Sequence, residues 1–177
     1  MFGTSLSLSL RAPARAGAFV AALRAVALMV VLSFCAAAQA DPVETERLME
    51  QVRSERSVLE SNLQDAYAHM DSGRTEEAVA SFALARANAT AIGLYLGEVL
   101  VEIRKSREHG QYTDARALER ARLRCERVEE TAGFIDASLA QMILQPSAFG
   151  RALIDAQRVQ FDRQLAQLEA DLALSQA

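Results

Sequence analysis

The chain has no tryptophan, one lysine, two histidines, three prolines and two cysteines among 177 residues. Each scarcity excludes something. Two cysteines cannot staple a disulfide-dense mini-protein. Three prolines and eight glycines are too few for a collagen-like or Pro-rich chain. A hydrophobic content of 51% rules out disorder throughout. The two histidines sit in no Glu-x-x-His pattern, so a di-iron bundle is not expected. No Cys-x-x-Cys-His attaches a haem, and nucleophile-elbow, P-loop and dinucleotide glycine patterns are missing. The expectation is a protein with no cofactor, no metal and no catalytic residues.

Acid is also missing, but only locally. Residues 1–40 contain Arg11, Arg15 and Arg24 and no Asp or Glu. An uncharged stretch, residues 25–38, follows Arg24 and ends in Ala38-Gln39-Ala40. A basic region, an apolar region and small residues around one spacer are the plan of a secretory signal. Cleavage after Ala40 would leave Asp41 first. The apolar run is short of the roughly 20 residues of a membrane span. An uncleaved anchor is the competing expectation, with residues 16–23 extending the run past a snorkelling Arg24. Cys35 is a poor lipidation site, because the bulky Phe34 precedes it. No twin-Arg pair occurs, so Sec export to the periplasm or beyond is expected.

Removing the leader changes the balance. Taking forty residues from 177 leaves 137, and losing three cations moves the net charge from −4 to −7. Such a chain is a poor general nucleic-acid binder. Membrane contact is expected only through an uncleaved leader or at the surface. One cysteine remains, Cys125, so no intramolecular disulfide can form.

What is present is helix. Ala, Leu, Arg, Glu and Gln dominate residues 41–177, and these are strong helix formers. Breaks at Ser72-Gly73, Gly110-Gln111 and Gln145-Pro146-Ser147 divide the chain into four segments. Asp41 can cap the first, with Pro42 in its first turn and Glu44 closing a capping box. Apolar residues recur at three- and four-residue steps: Leu48, Val52, Leu59, Leu63, Ala66 and Met70 in the first segment. The second carries Val79, Phe82, Ala85, Ala89, Ile92, Leu96, Val99 and Ile103. The third carries Leu118, Ala121, Cys125, Val128, Ala132, Ile135, Leu139 and Met142. Ile154, Phe161, Leu165, Leu168 and Leu172 mark the fourth. A 3/4 alternation is the seam of packed helices. Short connections favour antiparallel neighbours. The expected fold is all-α: an up-down antiparallel bundle of about four helices, or long coiled-coil hairpins. Charged breaks at Glu55 or Arg56 and at Arg158 suggest that the bundle completes itself in an oligomer.

Gly73-Arg74-Thr75-Glu76-Glu77-Ala78, followed by Phe82 and Ala85, resembles the turn and second helix of a tetratricopeptide repeat. Gly110-Gln111-Tyr112-Thr113-Asp114-Ala115 echoes it. The resemblance implies a break near Asn88, Ala89 and Thr90. Asp65-Ala66 stand where the family carries Leu-Gly, and Glu119 where it carries an aromatic.

Three features are candidates for function. Gly93 and Gly97, inside the second segment, suggest close helix approach opposite Cys125, or a small-ligand slot or hinge there. A turn at Gly110 would set Gly97 against Arg124 and Cys125, and Asn88 against Gly133. Cys125 is a core hydrophobe or a thiol for a bridge between chains. His69 and His109 close helices ahead of glycines, too far apart along a segment of about 50 Å to share a metal. Glu98 with Glu102, and Glu126 with Glu129 and Glu130, read as solvated faces partly paired with Arg104 and Arg127.

Charge is the third feature. Residues 41–77 carry ten acids and four cations, whereas residues 104–127 carry eight cations and four acids. In an up-down bundle Asp41, Glu44, Glu46 and Glu50 would face a basic tip that includes Arg104, Lys105, Arg107, Arg116 and Arg120. That tip is offered to an acidic protein or an anionic surface. The functional expectation is an exported, non-enzymatic protein that works by contact with another protein or with a second copy of itself. The alternative is a periplasmic helical bundle that binds or senses a small molecule.

Overall fold

The computed structural model describes residues 42–110 and 112–176. The expected leader and its expected junction at Ala38, Ala40 and Asp41 lie outside the described residues.

Four helices follow one another: α1 (Pro42–Asp71), α2 (Thr75–His109), α3 (Ala115–Leu144) and α4 (Ala148–Gln176). No strand occurs among the described residues. The connections are short, and each helix packs against the next. All four stripes empty into one shared core, so the chain is a bundle rather than two separate hairpins. Phe82, Leu48, Leu63, Ile92, Ile135 and Leu168 are among its fully buried side chains. The break that a tetratricopeptide repeat needs is absent. Helix α2 runs through Asn88, Ala89 and Thr90 without interruption.

The helix ends show why the chain turns where it does. Gly73 has φ +72° and Gly110 φ +65°, a left-handed backbone that favours glycine and closes α1 and α2. Asp114 caps α3, accepting from the backbone N–H of Arg116 at 2.8 Å and Ala117 at 3.1 Å. Ser147 Oγ accepts from the Gly150 N–H at 3.0 Å in the first turn of α4. Glu44 departs from the expected capping box and holds Arg47 through both oxygens, at 2.8 and 2.6 Å. The α2–α3 turn also ties the bundle end together. The Ser175 carbonyl accepts from the Thr113 N–H at 3.0 Å, and Tyr112 is buried beside Thr45.

Helices α1 and α4 close the ring differently. Their backbones approach far less than those of sequence neighbours, and long side chains span the gap. Arg56 grips Asp162 at 2.6 and 2.9 Å, Arg53 reaches Glu169 at 3.0 Å, and Arg151 reaches Asp71 at 3.1 Å. Arg158 binds Glu60, and Tyr67 donates to Asp155 at 3.2 Å. The charged breaks at Arg56 and Arg158 therefore have partners within the chain. They no longer argue for an oligomer.

Candidate interaction surfaces

The expected basic tip forms at one bundle end, but its charges are largely consumed internally. Lys105 binds Glu102 at 2.6 Å and Arg107 meets Glu119 at 3.2 Å. Arg120 turns inward to Asp171 at 3.0 Å. Arg104 stands 3.9 Å from Glu126, the outer limit of an ion pair. Arg116 holds no ion pair among the described residues. Among the described residues the acids of α1 form no ion pair with the tip, although Lys105 adds a minor attraction to Glu44 after that of Arg47. Glu44 holds Arg47, and Glu46 holds Arg53. The head groups of Arg104 and Arg107 nonetheless border a groove of about 410 Å³ floored by Ile103, Ala115 and Leu118. Arg122 lies in its wall, held by Glu119 and Glu126. Glu119 is thereby kept below the ordinary carboxylate range, chiefly by the Arg122 hydrogen bond.

Asp171 is the charged group that periodicity did not single out. It is only 5% exposed on α4; its Oδ1 accepts from Arg120 Nε at 3.0 Å, and Arg124 Nε stands in ion-pair range of its Oδ2 at 2.5 Å without a hydrogen bond. Its position just before the buried Leu172 was the available signal. An acid that close to a core stripe needs a cation across the seam. Arg124, expected opposite Gly97, faces α4 instead.

The glycine pair does not mark a close approach. A Cβ on Gly93 would meet nothing within 4 Å, and one on Gly97 would touch only Glu129 Oε1 at 3.6 Å. Gly93 instead floors an open groove of about 350 Å³ with Ala89, Leu94, Ala132 and Gly133. The polar groups at its edge satisfy one another. Arg86 pairs with Asp136 at 3.1 Å, and Thr90 donates to Asp136 at 2.9 Å. Asn88 looks the other way, toward Asn62 and Glu55 of α1, at 2.9 and 2.6 Å.

Cys125 is fully buried, with Sγ 3.5 Å from the Leu96 carbonyl. Burial, then Glu129 and Glu126, push its thiol well above the ordinary range. A shielded thiol of this kind is a packing group and not a bridge to another chain. The described residues contain no group of three or more His, Cys, Asp or Glu arranged to hold a metal.

The least ordinary surface is the outer face of α2. Between Glu77 and Glu98 the helix carries one charge, Arg86. Ala80, Ala83, Leu84, Ala87 and Leu94 are all exposed there, Leu94 to 67%. By length and composition α2 is long and apolar enough to cross a membrane, with a mean hydropathy of 1.2 over an 18-residue window only 28% buried. A bundle helix is expected to turn a charged face to water. Comparison with protein-family models, curated proteins and solved structures finds no match.

Proposed function

We propose that the chain is an exported, non-enzymatic helical protein that acts by protein–protein contact in the bacterial periplasm, as an adaptor, assembly factor or chaperone-like envelope component. The observation that carries this proposal is the nearly charge-free outer face of α2. Contiguous exposed apolar surface marks interaction sites. The arginine-edged groove at the C-terminal end of the same helix supplies polar contacts around it. The leader-like pattern of residues 1–40 supports export. The alternative, a small-molecule sensor, would use the Gly93 groove, whose polar rim is already self-satisfied.

Photo-crosslinking in living cells tests the contact. A photoreactive residue at Leu94 is expected to trap a protein, and one at Gln160 on exposed α4 is not. Equal trapping at both sites overturns the assignment of the surface. N-terminal sequencing of envelope material is expected to begin at Asp41. A chain retained in the cytoplasm with Met1 in place overturns export.

A further inference from the structure

The outer face of α2 has an internal symmetry that names its occupant. Ala80, Ala87, Leu94 and Val101 are spaced by seven residues and all are exposed. Seven residues are about two turns, so these four form one line along the back of the helix, opposite the buried stripe. On one flank of that line lie Glu76 at the N-terminal end and Arg104 at the other, and on the opposite flank lie Glu77 and Lys105. Glu76 and Glu77 are exposed and hold no ion pair among the described residues. Small residues occupy the first half of the line and large ones the second.

We propose that α2 is a homodimer interface, packing back to back and antiparallel with α2 of a second copy about a twofold axis beside Thr90 and Ala91. This rests on the protein-contact function above and specifies the partner. In that one register Ala80 lies opposite Val101 of the second copy, and Ala87 lies opposite its Leu94. Each large side chain thus meets a small one. A twofold perpendicular to the helix keeps each flank on its own side. Glu76 therefore meets Arg104 of the second copy, whose in-chain acid Glu126 lies 3.9 Å away, and Glu77 meets its Lys105, which shares its ammonium with Glu102. Every pairing occurs twice. A parallel arrangement would stack Glu76 on Glu76 and Leu94 on Leu94, repelling at the ends and leaving gaps between alanines. The complementarity of charge and of size both select the antiparallel dimer.

Light scattering on the purified full chain tests this. The expected mass is twice that of the purified chain, 19.3 kDa per copy with residues 1–40 retained and correspondingly less once they are removed. Leu94→Glu is expected to give a monomer with unchanged helical content by circular dichroism. Replacing Glu76 and Glu77 by Lys is expected to weaken the dimer at least tenfold, as is replacing Arg104 and Lys105 by Glu. Combining all four changes is expected to restore it, which a folding defect would not do. A monomer at all concentrations overturns the inference, and so does a dimer indifferent to Leu94→Glu. A monomer that floats with phosphatidylcholine vesicles overturns it too, since lipid then covers the face. If the purified chain is monomeric while Leu94 traps a different protein in cells, the dimer fails and the contact function stands. If Leu94 traps nothing in cells and the chain is monomeric, both fail.

Discussion

Glycine substitutions give the sharpest test of how the helices pack. Gly93 in α2 and Gly133 in α3 lie inside helices, where alanine is favoured by about 1 kcal/mol. A Cβ at either position meets no atom within 4 Å. Nothing offsets the gain, so Gly93→Ala and Gly133→Ala are each expected to stabilise the fold by about 1 kcal/mol. For a domain of this size that is roughly 3–5 °C in Tm. Gly150 is the opposite case. There a Cβ would collide with Met142 Sδ and lie 3.1 Å from Ser147 Oγ. Met142 is fully buried, so its side chain has little free volume to move into. Overpacking typically costs about 1–3 kcal/mol, which outweighs the helix propensity gained near a helix start. Gly150→Ala is expected to lower Tm by a few degrees. Thermal unfolding of the three variants, followed by circular dichroism, decides the matter. A fall in Tm for Gly93→Ala would refute the reasoning, because something would then have to press on α2 at that point. A rise for Gly150→Ala would refute it from the other side.

Asp171→Asn removes the carboxylate between Arg120 and Arg124. Both arginines keep partial access to water, so the expected loss is about 1–3 kcal/mol in a denaturant titration, and a neutral result would show that the triad adds nothing. Acid sensitivity follows from Asp114, held below its ordinary value first by the Ala117 N–H and then by that of Arg116. A depressed carboxyl stabilises the fold above the unfolded value and loses that contribution as pH falls through the folded one. Stability is therefore expected to be flat near neutrality and to fall below about pH 4. Asp114→Asn keeps a capping oxygen and is expected to flatten part of that fall, as a Tm-against-pH series would show. Cys125 is expected to resist alkylation in the native state and react fully in denaturant; rapid native labelling would mean that the α2–α3 seam opens.

The core was legible almost residue by residue. Every seam residue of α3 is buried as its spacing requires, from Leu118 to Met142, and so are the five marked on α4. On α2 only Val79 yields its place, to Ala78, and on α1 Met70 is partly buried. Periodicity reads these positions because it depends on one helix at a time. The partners of the charges are not legible in the same way, because they depend on how helices are rotated against each other. Arg120 belongs to a basic cluster in sequence and to a buried acid in space. The level of Asn88 in the bundle sets it against α3, whereas its rotation aims it at α1. The outer face of α2 could have been found from sequence. A run of twenty residues with one charge cannot all be core in a helix with period 3.6.

The α1–α4 seam explains why two apolar stripes are broken by charge. Exposed ion pairs contribute about 0–1 kcal/mol each, so stability is a weak reason for placing four arginines there. Their order is a better one. Toward the start of α1 the cations are on α1, where Arg53 and Arg56 meet Glu169 and Asp162. Further along the polarity inverts, and Glu60 and Asp71 meet Arg158 and Arg151. Sliding α4 by one turn in one direction brings Arg158 level with Arg56. Sliding it the other way brings Asp162 level with Glu60. Either slip sets like charges against each other across a seam where the backbones stand apart and apolar packing constrains register least. The three sequence-adjacent interfaces need no such code, because short turns already limit how far their helices can slide. The charged positions that interrupt the stripes of α1 and α4 thus specify the one pairing that no turn connects.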